Sequence, residues 1–110
     1  MQFTHKREKS TLILYPVGDL DMIVEENMGT FIEEEGIKES LNLLFNMESV
    51  RYVGSSGLTF LIFILKKLKE KRLKVVLCQV PLHVLKVMEV ANLSNLFEIF
   101  DTEQEALNQM

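Results

Sequence analysis

The chain has no tryptophan, two prolines, five glycines and a single cysteine, Cys78. One thiol cannot close an internal disulfide, and Cys78 lies in an apolar run, so it reads as a buried thiol in a reducing compartment. No Pro/Gly-rich linker, low-complexity segment or internal repeat divides the sequence. An excess of positive charge is missing too: the net charge is −4 at pH 7. The basic residues are scattered apart from Lys66 to Lys74, which argues against direct nucleic-acid binding. Long hydrophobic runs are absent. The longest, Leu58–Leu65, is interrupted by Thr59 and falls far short of the about 20 residues that span a bilayer. Met1–Ser10 is polar and charged, without the apolar segment of a signal peptide. A soluble cytoplasmic protein with no direct membrane insertion is expected.

What remains fits one globular domain. The 110 residues are 47% hydrophobic and 25% charged, which is ordinary for a soluble fold and leaves room for one core, giving a single domain over 1–110. Leu12–Val17 is apolar on both faces, with Pro16 near a strand end. Phe3–Lys6 pairs with it through a turn around Glu8, Lys9 and Ser10, as an N-terminal hairpin. Gly18-Asp-Leu-Asp21 breaks the strand. Val24, Met28, Phe31 and Ile32 then mark a helix ended by Gly36 as its C-cap residue. Glu33, Glu34 and Glu35 form a solvated face, although the negative end of the helix disfavours them.

Leu41–Phe45 suits a buried central strand. Val50–Val53 leads into a helix from about Ser55 to Lys71, with Leu61, Ile64, Leu65 and Leu68 facing inward. Lys74–Gln79 is a further strand, and Pro81 suits the first turn of a helix whose Leu82, Leu85 and Met88 face the core. Leu96–Phe100 is the last strand. Thr102 and Glu105 form a capping box for a terminal helix holding Ala106 and Leu107. A hairpin followed by alternating helices and strands implies an α/β domain with a mainly parallel central sheet and about four helices.

In such sheets functional groups gather where a strand's carboxyl end feeds a helix N-terminus. That place is Gly54-Ser-Ser-Gly-Leu58. Free backbone N–H groups at a helix start attract anions, so a serine here is both a cap and a good phosphorylation site. On spacing alone the simpler reading is a cap or a turn.

Three segments alter that balance. Val50-Arg-Tyr-Val-Gly-Ser-Ser-Gly-Leu58 resembles the signature of anti-sigma factor antagonists, a short apolar strand followed by D-S-[ST]-G-L. Gly18-Asp-Leu-Asp21 resembles the family's G-x-[LI]-D element. Val75-Val-Leu-Cys78, Pro81 and Asn92-Leu-Ser-Asn-Leu-Phe97 are similar to its closing strand, helix and strand. The resemblance covers nearly the whole chain. It implies a STAS-like fold and a non-enzymatic partner switch without a cofactor. Such a protein binds an anti-sigma factor that is also a serine kinase, so that a sigma factor is freed. The kinase phosphorylates one serine, which ends the complex, and a serine phosphatase reverses the step. The modified serine falls on Ser55, with Asp21 matching its acidic neighbour. Asp21, Gly54, Ser55, Ser56, Gly57 and Leu58 form the expected partner-binding surface. One position departs from the family: Gly54 stands where aspartate is usual and supplies no side chain to cap the helix or shape the local charge.

Other chemistries find less support. Gly54-Ser-Ser-Gly57 does not satisfy the G-x-S-x-G of a nucleophile elbow, and no acid is placed to orient His83 as a base. No G-K-[ST] follows the glycines, so a P-loop is excluded. His5 and His83 lack ligand spacing to other histidines or cysteines, and no metal is expected. Phe60, Ile62 and Phe63 lie off the main apolar stripe, either buried by a neighbouring helix or, for Phe60 and Phe63, part of a docking patch. The alternative function is a STAS subunit that docks on a membrane transporter without a phosphorylation cycle.

Overall fold

The structure is a computed structural model that describes residues 2–110. Three short strands buried on both faces form its centre: Leu12–Leu14, Leu43–Phe45 and Val75–Cys78. They belong to β2 (Thr11–Pro16), β4 (Asn42–Asn46) and β6 (Val75–Cys78). β1 (Phe3–Glu8) lies outside β2 and β7 (Glu98–Phe100) outside β6, giving a sheet ordered β1-β2-β4-β6-β7. Only the β1–β2 hairpin is antiparallel in this sheet. Its turn holds Lys9 at φ 55°. Pro16 closes β2, where a missing N–H interrupts no further pairing.

Side chains alternate across the sheet, so each strand feeds two cores. Leu12, Leu14, Leu43, Phe45 and Leu77 face α1 (Met22–Ile32), α2 (Ser55–Glu70) and α3 (Leu82–Val90). Ile13, Leu44, Val76 and Cys78 face α4 (Glu103–Asn108) through the fully buried Ala106. Thr102 caps α4 as its spacing from Glu105 predicts, its Oγ1 accepting the Glu105 N–H at 3.1 Å. The inward stripe of α2 is Leu61, Ile64, Leu65 and Leu68, all buried.

Several details differ from the sequence reading. Gly18–Leu20 does not merely end β2: it forms a short strand, β3, which pairs with β5 (Val50–Val53) in a separate two-stranded sheet. Gly36 is not a C-cap. The chain continues from α1 into a π-helical turn over Glu33–Ile37, in which the Lys38 N–H donates to the Glu33 carbonyl at 3.1 Å. Gly36 is buried there, and a Cβ on it would meet Leu12 Cδ2 at 3.3 Å. The left-handed residue that follows is Ser40, at φ 55°. The glutamates of this turn are partnered in part, Glu33 with Lys67 at 2.6 Å and Glu34 with Lys38 at 3.0 Å.

In α3 the buried positions are Val84 and Met88, while Leu82 is exposed. Pro81 stands outside the helix as its N-cap, with ψ 147°. The inward stripe is therefore set by the four-residue spacing of Val84 and Met88 and leaves Leu82 on the outer face. The last strand is shorter than Leu96–Phe100, and Leu96 is exposed.

Candidate functional site

The register of the small sheet builds the site. β3 and β5 run parallel, and their last paired residues are Leu20 and Val53. The next residue on each strand is a helix cap: Asp21 for α1 and Gly54 for α2. Two helix starts thus lie side by side at about the spacing of paired strands, roughly 4.8 Å. Gly18 enters the pair at φ 84°, and the register shifts between Gly18 and Asp19. Arg51, the extra residue on β5, folds its guanidinium onto Asp19 at 2.9 and 3.1 Å. That hydrogen bond holds the Asp19 carboxyl below its ordinary pKa and raises that of Arg51.

The two starts are finished differently. Asp21 Oδ1 accepts the Val24 N–H at 3.0 Å, so a carboxylate sits on the positive end of α1. Gly54 has ordinary extended angles, φ −91° and ψ −170°, and no side chain caps α2. The first N–H groups of α2 have no intrahelical partner and point out beside Ser55. Ser55 and Ser56 are both exposed. The Ser56 hydroxyl donates to Glu25 Oε2 at 3.0 Å and ties the start of α2 to α1, while the Ser55 carbonyl accepts Thr59 Oγ1 at 3.0 Å.

Gly57 and Leu58 lie beneath this surface. Gly57 is buried where α2 meets the small sheet: a Cβ there would stand 2.8 Å from Val53 Cγ1. Leu58 is half-buried against the main core. The structure therefore brings Asp21, Gly54, Ser55 and Ser56 together on one surface, with Gly57 and Leu58 seating the helix that carries them.

Sequence reasoning missed two neighbours. The Tyr52 ring, 59% exposed, lies over Gly54 with Cε2 3.1 Å from where a Cβ would be. Glu25, the partner of Ser56, is four residues past Asp21, so the helical period could have placed it on the same side. His83 is turned elsewhere, its Nε2 lying 2.6 Å from the Arg51 carbonyl. Among the described residues no three His, Cys, Asp or Glu side chains converge to hold a metal ion. No helix among them is long and apolar enough to cross a membrane.

Comparison with solved structures finds the same architecture elsewhere. A Thermotoga maritima protein, TM1081, described as a candidate anti-sigma factor antagonist, matches with a TM-score of 0.90 at 22% identity, over 97% of this chain and 92% of that one. The anti-sigma factor antagonist SpoIIAA in its unphosphorylated form matches at 0.85 and 20% identity, over 97% and 94% of the two chains. The phosphorylated form of SpoIIAA from Bacillus matches at 0.78 and 19% identity, over 97% of each. At these identities the likeness shows the fold. A comparison with curated protein sequences gives no match. The family assignment comes from the sequence itself: the STAS domain model matches residues 2–106, and the chain belongs to the STAS domain family.

Proposed function

We propose that this chain is an anti-sigma factor antagonist acting as a phosphorylation-controlled partner switch in the cytoplasm. It binds an anti-sigma factor that is also a serine kinase and so frees a sigma factor. The kinase ends the complex by phosphorylating Ser55, and a serine phosphatase restores it. The observation that carries this reading is the exposed Ser55 at the uncapped start of α2, directly after Gly54, which follows the last strand pair level with Asp21. The fold fits as well: its neighbour SpoIIAA is an anti-sigma factor antagonist found in unphosphorylated and phosphorylated forms.

The chain acts by binding, not by catalysis. Asp21, Gly54, Ser55 and Ser56 form the contact surface, seated by Gly57 and Leu58. A phosphate on Ser55 brings up to two negative charges into a surface that already holds the carboxylates of Asp21 and Glu25. Dehydrating that dianion against a partner is costly, which breaks the complex.

Titration calorimetry with the anti-sigma factor kinase tests the switch. Ser55→Glu should weaken the complex about tenfold or more relative to Ser55→Ala, roughly 1.4 kcal/mol. Equal affinity for the two variants would remove the charge mechanism.

Gly54→Asp tests the departure from the family pattern. The extended backbone accepts a side chain, and an aspartate there would cap α2 and favour its positive end by about 0.3–1 kcal/mol. Against this, the Tyr52 ring must yield by a few tenths of an ångström, which an exposed ring can do. Melting temperature should change by no more than a few degrees, while phosphate incorporation into Ser55 rises. Gly54 is also the observation that favours the second reading, a STAS subunit docked on a membrane transporter. Failure of both forms to take up phosphate, from a kinase active on its own substrate, would select that reading.

A further inference from the structure

Beyond Ser56 the facing surfaces of α1 and α2 leave one continuous open groove. Its α2 wall runs from Ser56 through Phe60 and Phe63 to Lys67, a single helix face about 16 Å long at 1.5 Å per residue. Apolar surface is available along it: Met22 is 75% exposed and Phe63 57%. Gly29 keeps the floor open opposite Phe60, whose Cε1 stands 3.6 Å from the position of a Cβ.

Charge distinguishes this groove from an ordinary apolar crease. Glu25 and Glu26 of α1 line one side, continued by Glu33 and Glu34 of the π-helical turn, where Glu34 is paired with Lys38. The one lysine in the lining, Lys67, is held by Glu33 at 2.6 Å, with its Nζ 5.5 Å from the Phe63 ring centroid. The walls therefore carry net negative charge around an apolar floor. We infer that this groove docks a basic amphipathic helix of the partner protein, its leucine-like face on Phe60, Phe63 and Met22 and its lysines or arginines against Glu25 and Glu26. A helix of about three turns spans the groove.

The inference rests on the reading that the chain binds a protein partner, but it concerns the surface that runs on from the serine site along α2. Phe63 lies about 12 Å along the helix axis from Ser55, beyond the Debye length of about 8 Å at physiological salt. The charge on Ser55 should therefore act on the Glu25 end of the groove, which Ser56 shares, and little on the Phe63 end.

The test needs no kinase. Isotope-labelled protein is titrated with a synthetic amphipathic peptide of leucine and lysine, about three helical turns long, and with its counterpart bearing glutamate for lysine. The lysine peptide should shift the amide signals of Met22, Glu26, Thr30, Phe60 and Phe63, and added salt should weaken it. The glutamate peptide should leave them in place. Phe63→Ser combined with Glu26→Lys should weaken the lysine peptide at least tenfold with an unchanged melting curve, since both side chains are exposed. Shifts of equal size with the two peptides, shifts centred elsewhere, or indifference to the double variant would overturn the inference. A concentration-dependent dimer lost on Phe63→Ser would overturn it too, assigning the groove to a second copy of the chain. If the peptide binds and the Ser55 titration fails, only the switch reading falls; the opposite pair of results removes only the groove.

Discussion

Replacing Gly57 with alanine is expected to destabilise the protein by about 1–3 kcal/mol, against the trend of helix propensity. In an open helix alanine would gain about 1 kcal/mol over glycine. Here the added methyl would meet Val53 Cγ1 at 2.8 Å, Leu20 Cβ at 3.4 Å and the Leu20 carbonyl oxygen at 3.5 Å. None of these is the free end of a flexible chain. Val53 is β-branched and buried, with few rotamers open to it, and two of the contacts belong to Leu20 at or beside the backbone. Relief requires the start of α2 to lift from the β3–β5 pair, which also moves Ser55 away from Asp21. Chemical denaturation measures the loss. Repeating it in a Val53→Ala background identifies the cause, because without Cγ1 the same alanine should cost far less. An equal cost in both backgrounds would rule out the clash, and a more stable Gly57→Ala protein would refute the account altogether.

Cys78 should be nearly inert while the protein is folded. It has no exposed surface, and burial, helped by the charges of Glu103 and Glu48, pushes its thiol from an ordinary 9.0 up to about 12. Near pH 8 the reactive thiolate is then about a thousandfold scarcer than in an unperturbed cysteine. A disulfide-exchange reagent should label the native protein at least about a thousandfold more slowly than the protein unfolded in guanidinium. Labelling within tenfold of the unfolded rate would contradict the burial.

The same shift makes stability depend on alkali. Between pH 9 and about 12 the native thiol keeps a proton that the unfolded chain has lost. Its contribution is therefore intact below the unfolded value and declines as pH rises, by up to about 1.4 kcal/mol per pH unit. Tyr15 acts in the same direction from above its ordinary 10.0, raised by burial and by the nearby Glu103 carboxylate. Cys78→Ala should flatten the decline near pH 9 to 10 in a pH series of denaturation curves.

The sequence made the large sheet legible because its strands are continuous apolar runs of strand length, such as Leu43–Phe45, separated by helices with an unambiguous stripe such as Leu61, Ile64, Leu65 and Leu68. The start of α2 was legible for a local reason: glycine and serine are preferred residues at a helix start, and an apolar helical stripe follows them. β3 was not. Three residues, Gly18–Leu20, carry no periodicity, and only pairing with residues some thirty positions later makes them a strand. The π-helical turn at Glu33–Ile37 escaped for a related reason. A buried glycine there answers to the Leu12 side chain across the core, while local rules assign glycine near a helix end to its cap. Of the site, Asp21 and the serines were within reach of sequence, but Tyr52 over Gly54 and Glu25 on Ser56 are products of tertiary packing.

The rung formed by Leu20 and Val53 has a consequence for which changes in length this protein can accept. Both helix caps are counted from that rung, one residue past it on each strand. A residue inserted into 18–21 or 50–54 would displace one cap relative to the other by about 3.3 Å and turn the following side chain to the opposite face. Length changes at the Lys9–Ser10 turn, on the far side of the five-stranded sheet from β7, leave that count untouched. Insertions and deletions among related chains should therefore collect in such outer turns and spare these two short segments, however freely the residues within them are exchanged.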